Sequence, residues 1–256
     1  MARLLSHDGV ELEYEAGGDG AAVLLTHGYG ATGRMWDAQR AALDDYRLIT
    51  WDMRGHGRTQ SPADPARYSI EATVADMRAL LLHLGATRAV IGGLSLGGYA
   101  SLAFYGSHPE MVRALVVCDS GPGYRNPAAR EAWNARAQER ARELEAGGLD
   151  ALGGRSREMR EAMSHHRSVQ GLAHAARGML TQTDSAVIDA LPLIRVPTLI
   201  VVGERDAAFL APGEYMAKKI PGARLEVIPG AGHASNLDRP DVFSRVLRDF
   251  FSRLAL

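Results

Sequence analysis

Three side chains suited to covalent chemistry stand far apart in the chain: Ser95 in GLSLGG, Asp206 in LIVVGERDAAF and His233 in IPGAGHASNLDRP. A serine hydroxyl becomes a useful nucleophile only when a neighbouring base takes its proton and when it projects clear of the backbone. An imidazole can be that base, and a carboxylate can hold the imidazole in the correct tautomer. Gly93, Ser95 and Gly97 satisfy GxSxG, the pattern of a tight strand-to-helix turn that exposes a serine between small residues. The strand-like AVIGG at 89–93 runs into the motif and a helical pattern begins directly after Ser95, which is the setting this pattern requires. The chain order Ser95, Asp206, His233 agrees with one known arrangement of nucleophile, acid and base. Asp119, closing ALVVCD, also follows a strand-like run and is the alternative acid.

Such chemistry also needs two N–H donors for the oxygen that becomes negative, each worth about 3 to 4 kcal/mol when removed in well-studied cases. The amide of Leu96, directly after the serine, is one. The other is expected from LLTHGYGATGRMW, where Gly28 and its neighbouring glycines allow a turned backbone and the amide of Tyr29 is the candidate. His165, His166 and His174 lack metal-ligand spacing with nearby carboxylates or cysteines and read as surface helix residues. His7, His83 and His108 have no such company either. No metal site is expected.

These groups need a scaffold that gathers them at one edge. Short apolar runs recur at 23–28, 47–52, 89–93, 114–119 and 198–203, and their near-continuous hydrophobicity suits strands buried on both faces. Helical patterns at about 70–84 and 96–108 lie between them, so the alternation predicts an α/β fold with a mostly parallel sheet flanked by helices. The opening segment alternates like an antiparallel hairpin, while ARLEVIPG and PDVFSRVLRDFFSRL predict a last strand and a closing amphipathic helix. In parallel sheets functional groups collect at the carboxyl ends of strands, which is where Ser95 and Asp206 fall. Residues 121–192 interrupt the pattern with helices only. They hold ten arginines, no lysine and nine acidic residues, so this segment is nearly neutral. The expected organisation is a core of 1–120 and 193–256 with a helical cap at 121–192.

A chain of 256 residues can bury a substantial core, and 29 basic against 30 acidic residues give no nucleic-acid or polybasic membrane footprint. A small molecule is the expected partner, with a monomer and a homodimer both open. The single cysteine, Cys118, lies in a strand-like run and has no partner for an internal disulfide. Neither a signal-peptide core nor a membrane span is evident, so a cytoplasmic location is expected.

HGYG at 27–30, WDMRGHGRT at 51–59, GLSLGG at 93–98, GERD at 203–206 and GAGHASN at 230–236 together resemble the ordered landmarks of the α/β-hydrolase superfamily. The resemblance implies an eight-stranded sheet, a cap after the sixth strand and no cofactor. It implies a structural role for Asp52, Arg54, Gly55 and Gly57, with Thr59 where the pattern commonly has serine. A serine nucleophile sets the chain apart from the dehalogenases and epoxide hydrolases of this shape, which use aspartate. The loop around Tyr29 and the C-terminal stretch are similar to those of 3-oxoadipate enol-lactonases and small carboxylesterases. The expected activity is therefore cofactor-independent hydrolysis of a small ester or lactone. Two alternatives are a carbon–carbon bond hydrolase of a diketone-like ring-cleavage product, although HGxGPG is not present, and a ligand receptor on the same fold.

Overall fold

The computed structural model describes residues 2–254, so the outermost positions of the expected core, 1 and 255–256, lie outside the described residues. Eight strands form one sheet: β1 (Ala2–Leu5), β2 (Glu11–Gly17), β3 (Ala22–Thr26), β4 (Arg47–Trp51), β5 (Ala89–Leu94), β6 (Val112–Cys118), β7 (Thr198–Gly203) and β8 (Arg224–Ile228). Their spatial order is β1-β2-β4-β3-β5-β6-β7-β8. The β1–β2 and β2–β4 pairs are antiparallel, the first of them the expected hairpin, and every pair from β4 to β8 is parallel.

Alternate residues of one strand feed opposite apolar layers, as the period of two demands. Leu24, Ile91, Val117 and Ile200 join one cluster; Val23, Leu25, Val90, Val116 and Val201 join the other. That is why β3, β5 and β7 read as unbroken apolar runs: every one of their residues is buried.

The helices are α1 (Asp37–Arg40), α2 (Ile70–His83), α3 (Leu96–Ser107), α4 (Pro127–Gly147), α5 (Arg157–Ala162), α6 (Val169–Met179), α7 (Ala186–Ala190), α8 (Leu210–Lys219), α9 (Ser235–Asp238) and α10 (Pro240–Phe251). Local sequence starts several of them. Ser69 caps α2 through the Ala72 N–H, Asn126 caps α4 through Ala128 and Ala129, and Ser168 caps α6 through Gly171. Met77, Leu80 and Phe104 from α2 and α3 cover one face of the sheet, and Phe243, Leu247 and Phe251 from α10 cover the other with Trp36. α8 supplies the crossover from β7 to β8 that a parallel pair requires, an element the sequence reading did not anticipate.

Between β6 and β7 the chain forms α4 to α7 and no strand. Trp133 Nε1 donates to Leu180 O at 2.7 Å, while Asn134 and the Gln182 backbone exchange two hydrogen bonds at 2.9 and 2.8 Å. These bonds tie α4 to the chain leaving α6. Among the described residues no helix is long and apolar enough to cross a membrane.

Candidate active site

Ser95 occupies the corner between β5 and α3 with φ 55° and ψ −114°, a conformation rare for a residue bearing a Cβ. Strain of this kind costs on the order of 1–3 kcal/mol and must be imposed by surrounding bonds. The Ser95 N–H donates to Cys118 O at 2.9 Å, and its carbonyl accepts from Ser120 Oγ at 2.7 Å and Tyr99 N at 3.0 Å. Two glycines make room for the corner. A Cβ at Gly97 would lie 2.2 Å from Thr26 O, and one at Gly93 would lie 2.5 Å from both Thr26 O and Gly97 C. Although Ser95 stands at the N-cap position of α3, its side chain makes no capping bond. The hydroxyl is thus not spent on its own helix.

Asp206 follows β7, and its carbonyl accepts from the N–H groups of Phe209 and Leu210 at 3.0 and 3.1 Å as the chain turns into α8. His233 lies between β8 and α9. The two loops are joined by Glu204 N to Ile228 O at 3.0 Å and Arg205 N to Ala231 O at 2.8 Å. Across this junction His233 Nδ1 donates to Asp206 Oδ2 at 2.8 Å, which leaves Nε2 as the free ring nitrogen. Phe209 stacks on the imidazole with centroids 5.2 Å apart and planes inclined by 26°. Burial alone would lower the pKa of His233; the bond to Asp206 and the nearby charges of Glu158, Asp206 and Asp119 outweigh it, and the net direction is upward.

Ser95, Asp206 and His233 all border one cavity of about 800 Å³, within the range of small-molecule sites. Among the described residues the serine hydroxyl and the imidazole are not hydrogen-bonded to each other, as is common before substrate binds. Tyr29 and Leu96 border the same cavity. Ala31 N donates to Gly28 O at 3.1 Å, closing a turn in which Gly30 takes φ 73° and the Tyr29 N–H stays outside the turn's own bond. The Leu96 N–H, at the first position of α3, has no intrahelical acceptor.

Asp119, the alternative acid, sits in the core next to this group with φ 45°. Its Oδ1 accepts from Gly203 N at 2.7 Å, and its Oδ2 accepts from Ser235 Oγ at 2.5 Å and Ser235 N at 3.3 Å. Both oxygens brace the loops that carry Asp206 and His233, and neither contacts the imidazole. Burial pushes its carboxyl up to about 7 despite these bonds.

The loop at 28–30 is held by histidines, and one of them corrects an expectation. His166, read from sequence as a surface residue, is buried. Its Nδ1 accepts from Gly57 N at 3.0 Å, and its Nε2 donates to Gly30 O at 2.9 Å. His27 Nε2 accepts from Met53 N at 2.9 Å while Nδ1 donates to Gly28 O at 2.6 Å. Each ring serves as one donor and one acceptor, so each is neutral, and burial depresses both pKa values to about 4. His56 packs between them, 5.0 Å from His27 and 5.9 Å from His166. No local pattern marks His166, because its partner Gly30 lies 136 residues away.

The WDMRGHGRT stretch is scaffold. Asp52 accepts from Gly33 N at 2.8 Å and Arg58 N at 3.0 Å, while Thr59 Oγ1 donates to Asp52 O at 2.6 Å. Arg54 forms a bidentate pair with Asp76 at 2.5 and 2.7 Å and another with Asp8 at 2.6 and 2.8 Å. His7, Asp8 and Asp76 bring ligand-type atoms within 4.8 Å of one another, yet the Arg54 guanidinium already donates to all four carboxylate oxygens, so this group does not fit a metal.

With this geometry established, a comparison with known families is decisive: residues 23–246 match the model of the alpha/beta hydrolase family. The chain belongs to that family. It is an enzyme of the alpha/beta-hydrolase class, with the eight-stranded, mostly parallel sheet expected of it. A 3-oxoadipate enol-lactonase 2 from Acinetobacter baylyi is 29% identical, covering 97% of this chain and 96% of its own. A putative 2-succinyl-6-hydroxy-2,4-cyclohexadiene-1-carboxylate synthase from Bacillus subtilis is 28% identical, covering 91% of each. Among solved structures, a thermophilic esterase from Thermogutta terrifontis is 31% identical, with a TM-score of 0.84 and 98% of each chain covered.

Proposed function

We propose that this alpha/beta hydrolase is a cofactor-independent serine hydrolase that cleaves a small carboxylic ester or lactone through an acyl-enzyme. The observation that carries the reading is the 2.8 Å His233–Asp206 bond at the rim of the cavity bordered by Ser95, whose hydroxyl is free of capping duty. The likeness to an enol-lactonase and an esterase supports the substrate class.

In this reading His233 Nε2 takes the proton of Ser95 Oγ as the oxygen attacks the carbonyl carbon. The carbonyl π pair moves onto oxygen, where the Tyr29 and Leu96 N–H groups hold the charge. As that charge collapses, the alkoxide leaves and takes the proton from His233. Water then attacks the acyl-serine and gives His233 a proton, which returns to Oγ as the acid product departs. Asp206 stabilises the imidazolium at both stages. The helices between β6 and β7 serve as the cap that roofs the cavity, supplying Trp133, Met159 and Met179 to its wall.

A fluorophosphonate and a p-nitrophenyl ester test this directly. The expected result is a mass adduct on Ser95, with sustained turnover that Ser95→Ala abolishes while the fold persists; full activity in Ser95→Ala would refute it. In a second reading the same groups act on a carbon–carbon bond; a relative named as a synthase is in keeping with chemistry other than ester hydrolysis on this fold. Preference for an enol-diketone over simple esters would select it. Turnover slower than about 1 per second, after a single burst, would instead favour a receptor.

A further inference from the structure

The cavity wall carries arginines that ester hydrolysis does not use, and one of them is half-buried without a counterion. Arg140, on α4, borders the cavity and places its guanidinium carbon 5.5 Å from the centroid of the Tyr29 ring. The neighbouring arginines differ: Arg155 pairs with Glu143, Arg177 with Glu145 at 2.6 and 2.7 Å, and Arg136, over Trp133 at 5.7 Å, is exposed to water. Among the described residues Arg140 has no carboxylate within ion-pair distance and donates no hydrogen bond. Of the carboxylates near it, Glu143 is taken by Arg155, and Glu158, beyond ion-pair distance, accepts from Ser156 Oγ through one oxygen and leaves the other without a partner. Burial lowers the pKa of Arg140 from its ordinary value, yet a guanidinium cannot discharge in a protein.

A cation drawn out of water without a partner is unfavourable, and an aromatic face compensates only in part. The cavity itself is largely apolar, with Leu96, Met159, Met179, Leu180 and Ile188 in its wall. An anion entering this space would meet five unused donors in a fork that suits a carboxylate.

Position narrows the ligand further. Tyr29 is pinned by Oη donating to Leu172 O at 2.8 Å. Its backbone N–H is the proposed oxyanion donor and its ring carries Arg140. Tyr29 is therefore placed to meet a ligand at both ends, its N–H at the carbonyl oxygen beside Ser95 and its ring beneath the Arg140 guanidinium that would hold an anion.

We infer that Arg140 is the specificity-determining residue of this site and that the substrate is an ester or lactone whose acyl part bears a second, free carboxylate. This inference rests on the serine-hydrolase reading.

The test compares methyl pentanoate with monomethyl glutarate, which have the same acyl length and differ by a terminal carboxylate. Wild-type protein is expected to favour the anionic ester in kcat/KM. In Arg140→Met the anionic-to-neutral ratio should fall by about ten- to a hundredfold, as for loss of hydrogen bonds to a charged group, with most of the loss in KM. Arg140→Lys, which keeps the charge without the fork, should restore part of it. An unchanged ratio in Arg140→Met, or a wild-type preference for methyl pentanoate, overturns the inference while leaving the hydrolase reading intact. If wild type cleaves neither ester and a fluorophosphonate leaves Ser95 unlabelled, the hydrolase reading fails instead. Calorimetry with glutarate then decides the anion site: binding lost in Arg140→Met upholds it, and no binding to wild type removes it.

Discussion

Replacing His166 with glutamine should remove part of the protein's sensitivity to acid. His166 is buried and neutral, linking Gly57 N to Gly30 O. Its pKa falls from 6.5 in the unfolded chain to about 4 in the fold. The unfolded state thus binds more protons between those values, so stability is lost as pH falls through the window. From about pH 7.5 to about pH 5, linkage gives a loss of about 2 kcal/mol for this one group. That is a large fraction of a folding free energy of about 5–15 kcal/mol. Other groups titrate in the same range, and Asp119 acts in the opposite sense. The useful quantity is therefore the stability difference between variant and wild type, in which the shared groups cancel. Glutamine offers one acceptor and one donor but no titration. His166→Gln should be less stable than wild type near neutrality, and urea unfolding should show the gap closing by about 2 kcal/mol near pH 5. A gap that stays constant over this range would mean that His166 does not titrate as a buried neutral bridge, and the account of the loop at 28–30 would be wrong.

Asp206→Asn should reduce kcat by about four orders of magnitude with little change in melting temperature, as loss of the orienting carboxylate does in a known triad; a near wild-type rate would move that role to Asp119. The rate–pH profile should have an acid limb above 6.5, because His233 must be neutral to accept the serine proton and its pKa is raised. In whatever activity Asp206→Asn retains, that limb should move to lower pH. Asp119→Asn should behave oppositely to His166→Gln in unfolding. The wild-type carboxyl is raised from 3.8 to about 7 in the fold, so wild type gains relative to the variant as pH falls through that window. Gly97→Ala, whose new Cβ would meet Thr26 O at 2.2 Å, should lower the melting temperature and abolish labelling of Ser95 by a fluorophosphonate.

The strands were legible because burial on both faces leaves a plain signature. The runs at 23–28, 47–52, 89–93, 114–119 and 198–203 fall within two residues of β3 to β7. Helices α2 and α3 likewise match 70–84 and 96–108, with Ser69 and Ser95 marking their starts. Strand order was not legible, since nothing local to β3 and β4 dictates that β4 should sit between β2 and β3. α8 was missed because GERDAAFLAPGEY places Pro and Gly where a helix is usually weak. The site residues were accessible to sequence reasoning wherever chemistry leaves a local mark: glycines around a strained serine, a carboxylate after an apolar run, a histidine in a late loop. The supporting shell leaves none. His27, His56 and His166 meet only in three dimensions, and Arg140 was one of ten arginines until the fold half-buried it in the cavity wall without a carboxylate partner.

Two carboxylates at the ends of adjacent strands, Asp119 after β6 and Asp206 after β7, invite the question of why only one meets the imidazole. The answer lies in how their acceptor sites are used. Asp119 takes φ 45°, turning its side chain under the loops, where two backbone N–H groups and a hydroxyl engage both its oxygens. Pulling it away would leave those buried donors unpaired, at about 1–3 kcal/mol each. Asp206 has its backbone, not its side chain, committed to the turn into α8, so Oδ2 is available to His233. Asp119 in turn fastens Gly203 and Ser235, three residues before Asp206 and two after His233. Its bonds therefore act on the imidazole through the placement of both loops, and the division of labour follows from which donors each carboxylate must satisfy.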